Sequence, residues 1–197
     1  MSEFWIFFER GLRHILDLSA YDHILFLIAL SITYAFKDWK KLLLLVTIFT
    51  IGHTAALLLS VSGVLIIKVN LVKFLIPTTI LIIALFHLFT PGKSSKQESI
   101  SVIGFVTLFF GMIHGLSFTA YFKTLVKDSL QSQLITLAEV SLVIETSQII
   151  IVFIVLILSY IVQTFYRFSK RDWNLVMSSF VIGVVLPMII SNEIRNR

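Results

Sequence analysis

His53, His114, Glu145 and the adjacent pair Asp22 and His23 sit inside or at the edge of long apolar runs, on four separate stretches of the chain. An imidazole or a carboxylate at membrane depth is costly, so several in one chain point to a site that uses them. The chemistry they offer is ligation through nitrogen and oxygen, which suits divalent nickel, cobalt or zinc. Cysteine is absent, which excludes thiolate metal sites, iron–sulfur clusters, disulfides and cysteine nucleophiles.

The elements that must position these residues follow from composition. Hydrophobic residues make up 57% of the 197 and charged ones 14%. Mean hydropathy is +0.97, far from that of a soluble domain. A run of about 20 apolar residues crosses the hydrocarbon as a helix. Six such candidates are read at 21–36, 41–61, 72–90, 101–122, 137–166 and 173–191. The runs are continuous rather than alternating, which argues against a β-barrel. The expected fold class is all-α, a polytopic membrane helical bundle of about six transmembrane helices forming one integral membrane domain over 1–197. Residues 1–20 place Phe4, Trp5, Phe8, Leu12 and Ile15 at helical spacing, with Glu9, Arg10 and Arg13 elsewhere around the wheel. They read as an N-terminal interfacial amphipathic helix. Arg10 and Arg13 are misplaced for a signal peptide, so the segment is taken as part of the mature protein. The linkers near 90–96 and 127–133 are too short to fold as soluble domains, so the bundle itself must perform any chemistry.

Lysine and arginine divide eight against eight between the two sides of a six-span arrangement. The set that includes Lys37, Lys40, Lys41, Lys170 and Arg171 is packed close to helix ends, which favours cytoplasmic loops there and both termini outside. The net charge of +5 follows from such flanks, and no basic run suggests nucleic acid. The segment Ala35-Phe36-Lys37-Asp38-Trp39 echoes Lys170-Arg171-Asp172-Trp173, and reads as a repeated aromatic and basic anchor at the interface.

Depth relates the polar residues to one another. His53 and His114 each lie about 12 residues into their runs, or roughly 18 Å from one face. Glu145 lies about 8 residues in from the opposite face, or roughly 12 Å. In a core about 30 Å thick these fall near one level, and Asp22 and His23 approach it from above. Gly52, Gly111 and Gly115 flank the histidines and would permit close helix approach. Thr50, Ser141 and Gln148 stand three or four positions from His53 or Glu145, and Thr54 adjoins His53; they could orient them. Each residue alone has a plainer reading: a packed histidine, a protonated carboxyl joining helices, or an acidic helix start at Asp22. His87 lies near the end of the third run, away from the common level, and reads as structural.

Four ordered blocks carry a resemblance. Residues 11–27, Gly-Leu-Arg-His-Ile-Leu-Asp-Leu-Ser-Ala-Tyr-Asp-His-Ile-Leu-Phe-Leu, resemble the opening signature of the HupE/UreJ family of bacterial membrane proteins. Residues 46–54 (Val-Thr-Ile-Phe-Thr-Ile-Gly-His-Thr), 110–118 (Phe-Gly-Met-Ile-His-Gly-Leu-Ser-Phe) and 143–149 (Val-Ile-Glu-Thr-Ser-Gln-Ile) agree with it. The likeness covers roughly 5–160. Ser117 stands where the family usually has glycine, and the His-Pro-Gly opening of hydrogenase-associated members is missing, which marks a divergent branch. The resemblance implies a bacterial cytoplasmic (inner) membrane protein associated with nickel, and sometimes cobalt, uptake. It also implies that His14, Asp22, His23, His53, His114 and Glu145 are the polar signature.

Two functions are compatible with these residues. One is a divalent transition-metal permease, with His14 and Asp22 capturing the ion and His23, His53, His114 and Glu145 replacing its water at mid-depth. The other is an intramembrane zinc-dependent hydrolase acting on a lipid or a membrane-delivered amide or ester, with Asp22 or Glu145 as base. No nucleotide-binding loop is present, which argues against ATP-driven pumping by this chain. The expected partners are the lipid bilayer and a divalent ion; a homo-oligomer is compatible with the sequence.

Overall fold

The computed structural model describes residues 21–65, 67–90, 100–125 and 130–195. The expected interfacial helix, with His14, lies outside the described residues. Among the described residues six helices follow in order: α1 Asp22–Ser31, α2 Trp39–Val61, α3 Val69–Phe89, α4 Ile100–Leu125, α5 Leu130–Phe165 and α6 Lys170–Arg195, with a short 3-10 turn at Phe36–Asp38 before α2. Among the described residues there is no strand, and the molecule is an all-α membrane helical bundle.

Five helices, α2 to α6, are long and apolar enough to cross a membrane. The first expected span, 21–36, is not among them. It is the ten-residue α1, which reaches about 15 Å, half the hydrocarbon thickness. Leu25, Phe26, Leu27, Ala29 and Leu30 are all buried, so the helix is apolar all round because protein surrounds it. Of the about six spans expected, five among the described residues are long and apolar enough to cross a membrane, and α1 is a shorter apolar helix. At 36 residues, α5 is about 54 Å long and exceeds the hydrocarbon, as its apolar run predicts.

Two helix starts explain the repeated motif. The Asp38 carboxylate accepts the Ala35 N–H at 3.3 Å before α2. The Asp172 carboxylate likewise accepts the Ser169 N–H at 3.3 Å, and Ser169 Oγ accepts the Asp172 N–H at 3.1 Å, before α6. The second is a reciprocal cap of donors that helix starts leave open. The aromatic-anchor reading fits Trp39, which is exposed, and fails at Trp173, which is buried in the bundle.

The tightest packing joins α2 to α4. A Cβ built on Gly111 would run into the carbonyl of Phe49, one on Gly115 into the carbonyl of His53, and one on Gly52 into the carbonyl of Leu108. The paired positions rise together, so the two helices run parallel with their backbones in contact. On the other side of α2, Thr47, Thr50 and Thr54 meet Glu145, Gln148 and Ser141 of α5. Stacking of Phe26 on Phe49 at 4.5 Å sets α1 against the same pair.

Alanine at Gly111 or Gly115 therefore has to separate two main chains, at about 1–3 kcal/mol for overpacking. Alanine at Gly183 meets nothing within 4 Å and should keep or improve stability. Thermal unfolding in detergent is expected to show Gly111→Ala and Gly115→Ala well below Gly183→Ala; equal midpoints would remove the backbone contact as a determinant.

Candidate metal centre

Three helices each deliver one histidine to the same place. His23 opens α1, His53 lies in the second half of α2 and His114 near the middle of α4. All three are at most 2% exposed. The His23 ring lies 5.2 Å from the His114 ring and 6.1 Å from the His53 ring, centroid to centroid, both in edge-on arrangements. The glycine contact puts the His53 backbone against Gly115, the residue after His114. Aromatic rings close the surroundings: Phe26 and Phe49 lie 5.0 and 5.4 Å from His114, and Phe118 lies 5.9 Å from His53. The three histidines stand at one level of the bundle.

Hydrogen bonds set the tautomers of two rings. Asp22 Oδ1 lies 3.1 Å from His23 Nδ1 and also accepts the His23 backbone N–H at 2.9 Å. A carboxylate only accepts, so Nδ1 carries the hydrogen and the lone pair of the neutral ring falls on Nε2. A carboxylate placed behind a histidine in this way fixes its ring orientation and tautomer, as partners of metal-binding histidines do. Thr79, on α3, gives its hydroxyl hydrogen to the Ile76 carbonyl at 2.7 Å and lies 3.4 Å from His114 Nε2. Its oxygen is then the acceptor for Nε2–H, which leaves the lone pair of His114 on Nδ1. That nitrogen is buried and has no hydrogen-bond partner among the described residues.

The other expected ligands are placed differently. Glu145 accepts a hydrogen bond from Thr47 at 2.6 Å, and Thr47 precedes His53 by six residues, about 9 Å along the α2 axis. Its carboxylate is held on the Trp39 side of the histidine level. Asp22 stands behind His23 as its partner. Thr50 and Thr54 bond Gln148 at 3.0 Å and Ser141 at 2.7 Å and tie α2 to α5. His87 is eight residues from Thr79 along α3 and lines a separate apolar cavity of about 220 Å³ with Tyr34, Phe86 and Thr107. His14 lies outside the described residues. Thr79 was not anticipated; a hydroxyl two positions after Pro77 in an apolar run is its only sequence signal.

Two imidazoles on one tetrahedral ion, with metal–nitrogen bonds of about 2.0–2.1 Å, hold their ring centres about 5 Å apart. The His23–His114 pair already has that spacing, and His53 is about 1 Å further out. Among the described residues no group of three or more histidine or acidic side chains is close enough to hold one ion at once. The arrangement is a nest of donors, looser than a closed structural site.

A multi-pass helical membrane protein with a buried cluster of histidines is the class that fold and geometry define. The sequence profile of the HupE/UreJ proteins ("HupE / UreJ protein") matches residues 1–192, and the chain belongs to that family. Comparison with curated proteins and with solved structures gives no match.

Replacing Thr79 by valine removes the acceptor that fixes His114 while keeping the shape. Loss of an orienting partner of this kind typically costs about 10–100-fold in metal affinity. Calorimetric titration of nickel or cobalt into Thr79→Val is expected to show that loss, with His87→Ala unchanged; equal affinity in Thr79→Val would refute the tautomer assignment.

Proposed function

We propose that the chain is a membrane permease for a divalent first-row transition ion, nickel or cobalt, and that His23, His53 and His114 form its mid-depth station. The observation that carries this reading is the convergence of three buried imidazoles from three helices, two of them with ring centres 5.2 Å apart. Family membership supports the same cargo, since HupE/UreJ proteins are associated with nickel and sometimes cobalt uptake. In this reading His14 and Asp22 receive the hydrated ion. Neutral imidazole nitrogens then replace its water, with Asp22 holding His23 in the required tautomer, and Glu145 offers oxygen about two turns further along. A carrier must release as well as bind, so incomplete coordination at each station is functional: no step traps the ion in a closed shell. The resident-zinc hydrolase has no separate observation in its favour.

The purified full-length protein should bind nickel or cobalt reversibly, and proteoliposomes should take the ion up; both should fall to background in His53→Ala/His114→Ala. Binding should weaken as pH falls, because only neutral imidazole ligates and protons compete for the same lone pairs. Uptake by the double variant at the wild-type rate would overturn the reading. Stoichiometric zinc that resists chelators would replace it with a catalytic site.

A further inference from the structure

A pocket of about 300 Å³ opens at the end of the bundle away from Trp39, between the end of α2, the start of α3 and the last turns of α4. Ser60, Ser117, Thr119, Lys73 and Lys123 put polar groups on its wall. Ser117 is exposed there, although it stands only three residues, about 4.5 Å along α4, from the fully buried His114. Its hydroxyl gives its hydrogen to the His114 carbonyl at 2.7 Å, so the oxygen keeps lone pairs for a cation or for the water a cation carries. On α3, Val72 lines the pocket, and Val72, Ile76 and Thr79 share one face at helical spacing. Thr79 lies 3.4 Å from His114. Pocket and histidines therefore occupy the same groove between α3 and α4, with the buried Ile76 the α3 side chain between them. On the Trp39 side of the histidines the packing is closed: Phe26 and Phe49 lie 5.0 and 5.4 Å from His114, and Leu27, Leu45 and Val46 are buried.

We propose that this pocket is a water-filled vestibule through which a hydrated divalent cation reaches the histidines, and that Ile76 closes its floor. Depth supports water as the filling. Lys123 lies nine residues beyond His114, about 14 Å along α4, and half the hydrocarbon is about 15 Å. The mouth is thus at headgroup level, and polar groups continue from there to within one turn of His114. Water in a pocket is held by hydrogen bonds to its wall, and the hydroxyl oxygens of Ser60, Ser117 and Thr119 are there to accept them. Lys73 and Lys123 lie about 9 and 14 Å along their helices from Thr79 and His114, beyond the screening length of about 8 Å in physiological salt, so they leave the floor open to a cation. With aromatic packing on the Trp39 side, the histidines are open toward one end of the bundle only, as alternating access requires at any one moment. The passenger rests on the permease reading; the water-filled pocket does not.

Because the chain has no cysteine, single introduced cysteines report the pocket directly. The full chain in liposomes is treated, on both faces, with a sulfonate-bearing methanethiosulfonate. A thiol reacts as its thiolate, which apolar surroundings suppress, and a rise of two units in its pKa costs about 100-fold in rate. Ser117→Cys should therefore react about 100-fold faster than Ile51→Cys, a position exposed on the lipid side of α2 two residues from His53. Thr79→Cys should react slowly, and quickly when combined with Ile76→Ala. Added nickel should slow the reaction of Ser117→Cys, and His53→Ala/His114→Ala should remove that protection. Reaction of Ser117→Cys no faster than Ile51→Cys, as lipid in the pocket would give, would overturn the vestibule; fast reaction of Thr79→Cys with Ile76 in place would overturn the closed floor. Nickel titration of the cysteine-free chain separates the two readings. Binding alongside an unreactive Ser117→Cys removes the vestibule alone, whereas a reactive Ser117→Cys without nickel binding removes the permease and keeps the pocket wet.

Discussion

The contact between the main chains of α2 and α4 is the constraint on which the rest depends. Lipid tails are as apolar as leucine, so helices in a bilayer gain little from burying apolar side chains against one another, and close packing has to supply the association. Gly52, Gly111 and Gly115 supply it by removing every side-chain atom between two carbonyl-bearing backbones. The same contact brings His53 and His114 together, because one histidine is the residue that a glycine touches and the other is that glycine's neighbour in sequence. Packing and site are one feature here.

Around that pair the bundle answers its polar groups locally. Ser31, Ser141, Ser147 and Thr146 each donate to the carbonyl four residues earlier, the usual way for a hydroxyl to sit in an apolar helix. Thr47, Thr50 and Thr54 reach across to α5 and act as interhelical joints. His114 Nδ1 is an exception, a buried nitrogen without such an answer. Burying a polar atom without a hydrogen bond costs about 1–3 kcal/mol. The fold carries that cost at the centre, where a ligand could repay it.

Much of this was legible in the residues, and the failures are physically specific. Apolar runs gave the all-helical class and the five crossing helices, because the bilayer imposes length and composition directly. Counting along each run put His53, His114 and Glu145 near one level, with Asp22 and His23 approaching it. Counting gives depth and says nothing of direction around the helix, which is why Glu145 was grouped with the histidines although its carboxylate meets Thr47. Hydropathy likewise does not distinguish lipid from protein as the surrounding apolar medium, so the short buried α1 carries the same apolar signal as the longer helices. Thr79 was illegible for a third reason. Its role depends on how α3 registers against α4, a relation no local pattern records.

The short α1 gives the site an asymmetry. The separation of His53 and His114 is set by backbone against backbone and has almost no freedom. His23 is placed by side-chain contacts that include the Phe26 stack on Phe49 and the reach of Asp22. The cluster thus resembles a gauge with one fixed jaw and one sliding jaw. Small changes in the volume of residues 25, 26 or 49 would move the sliding jaw without disturbing the fixed edge.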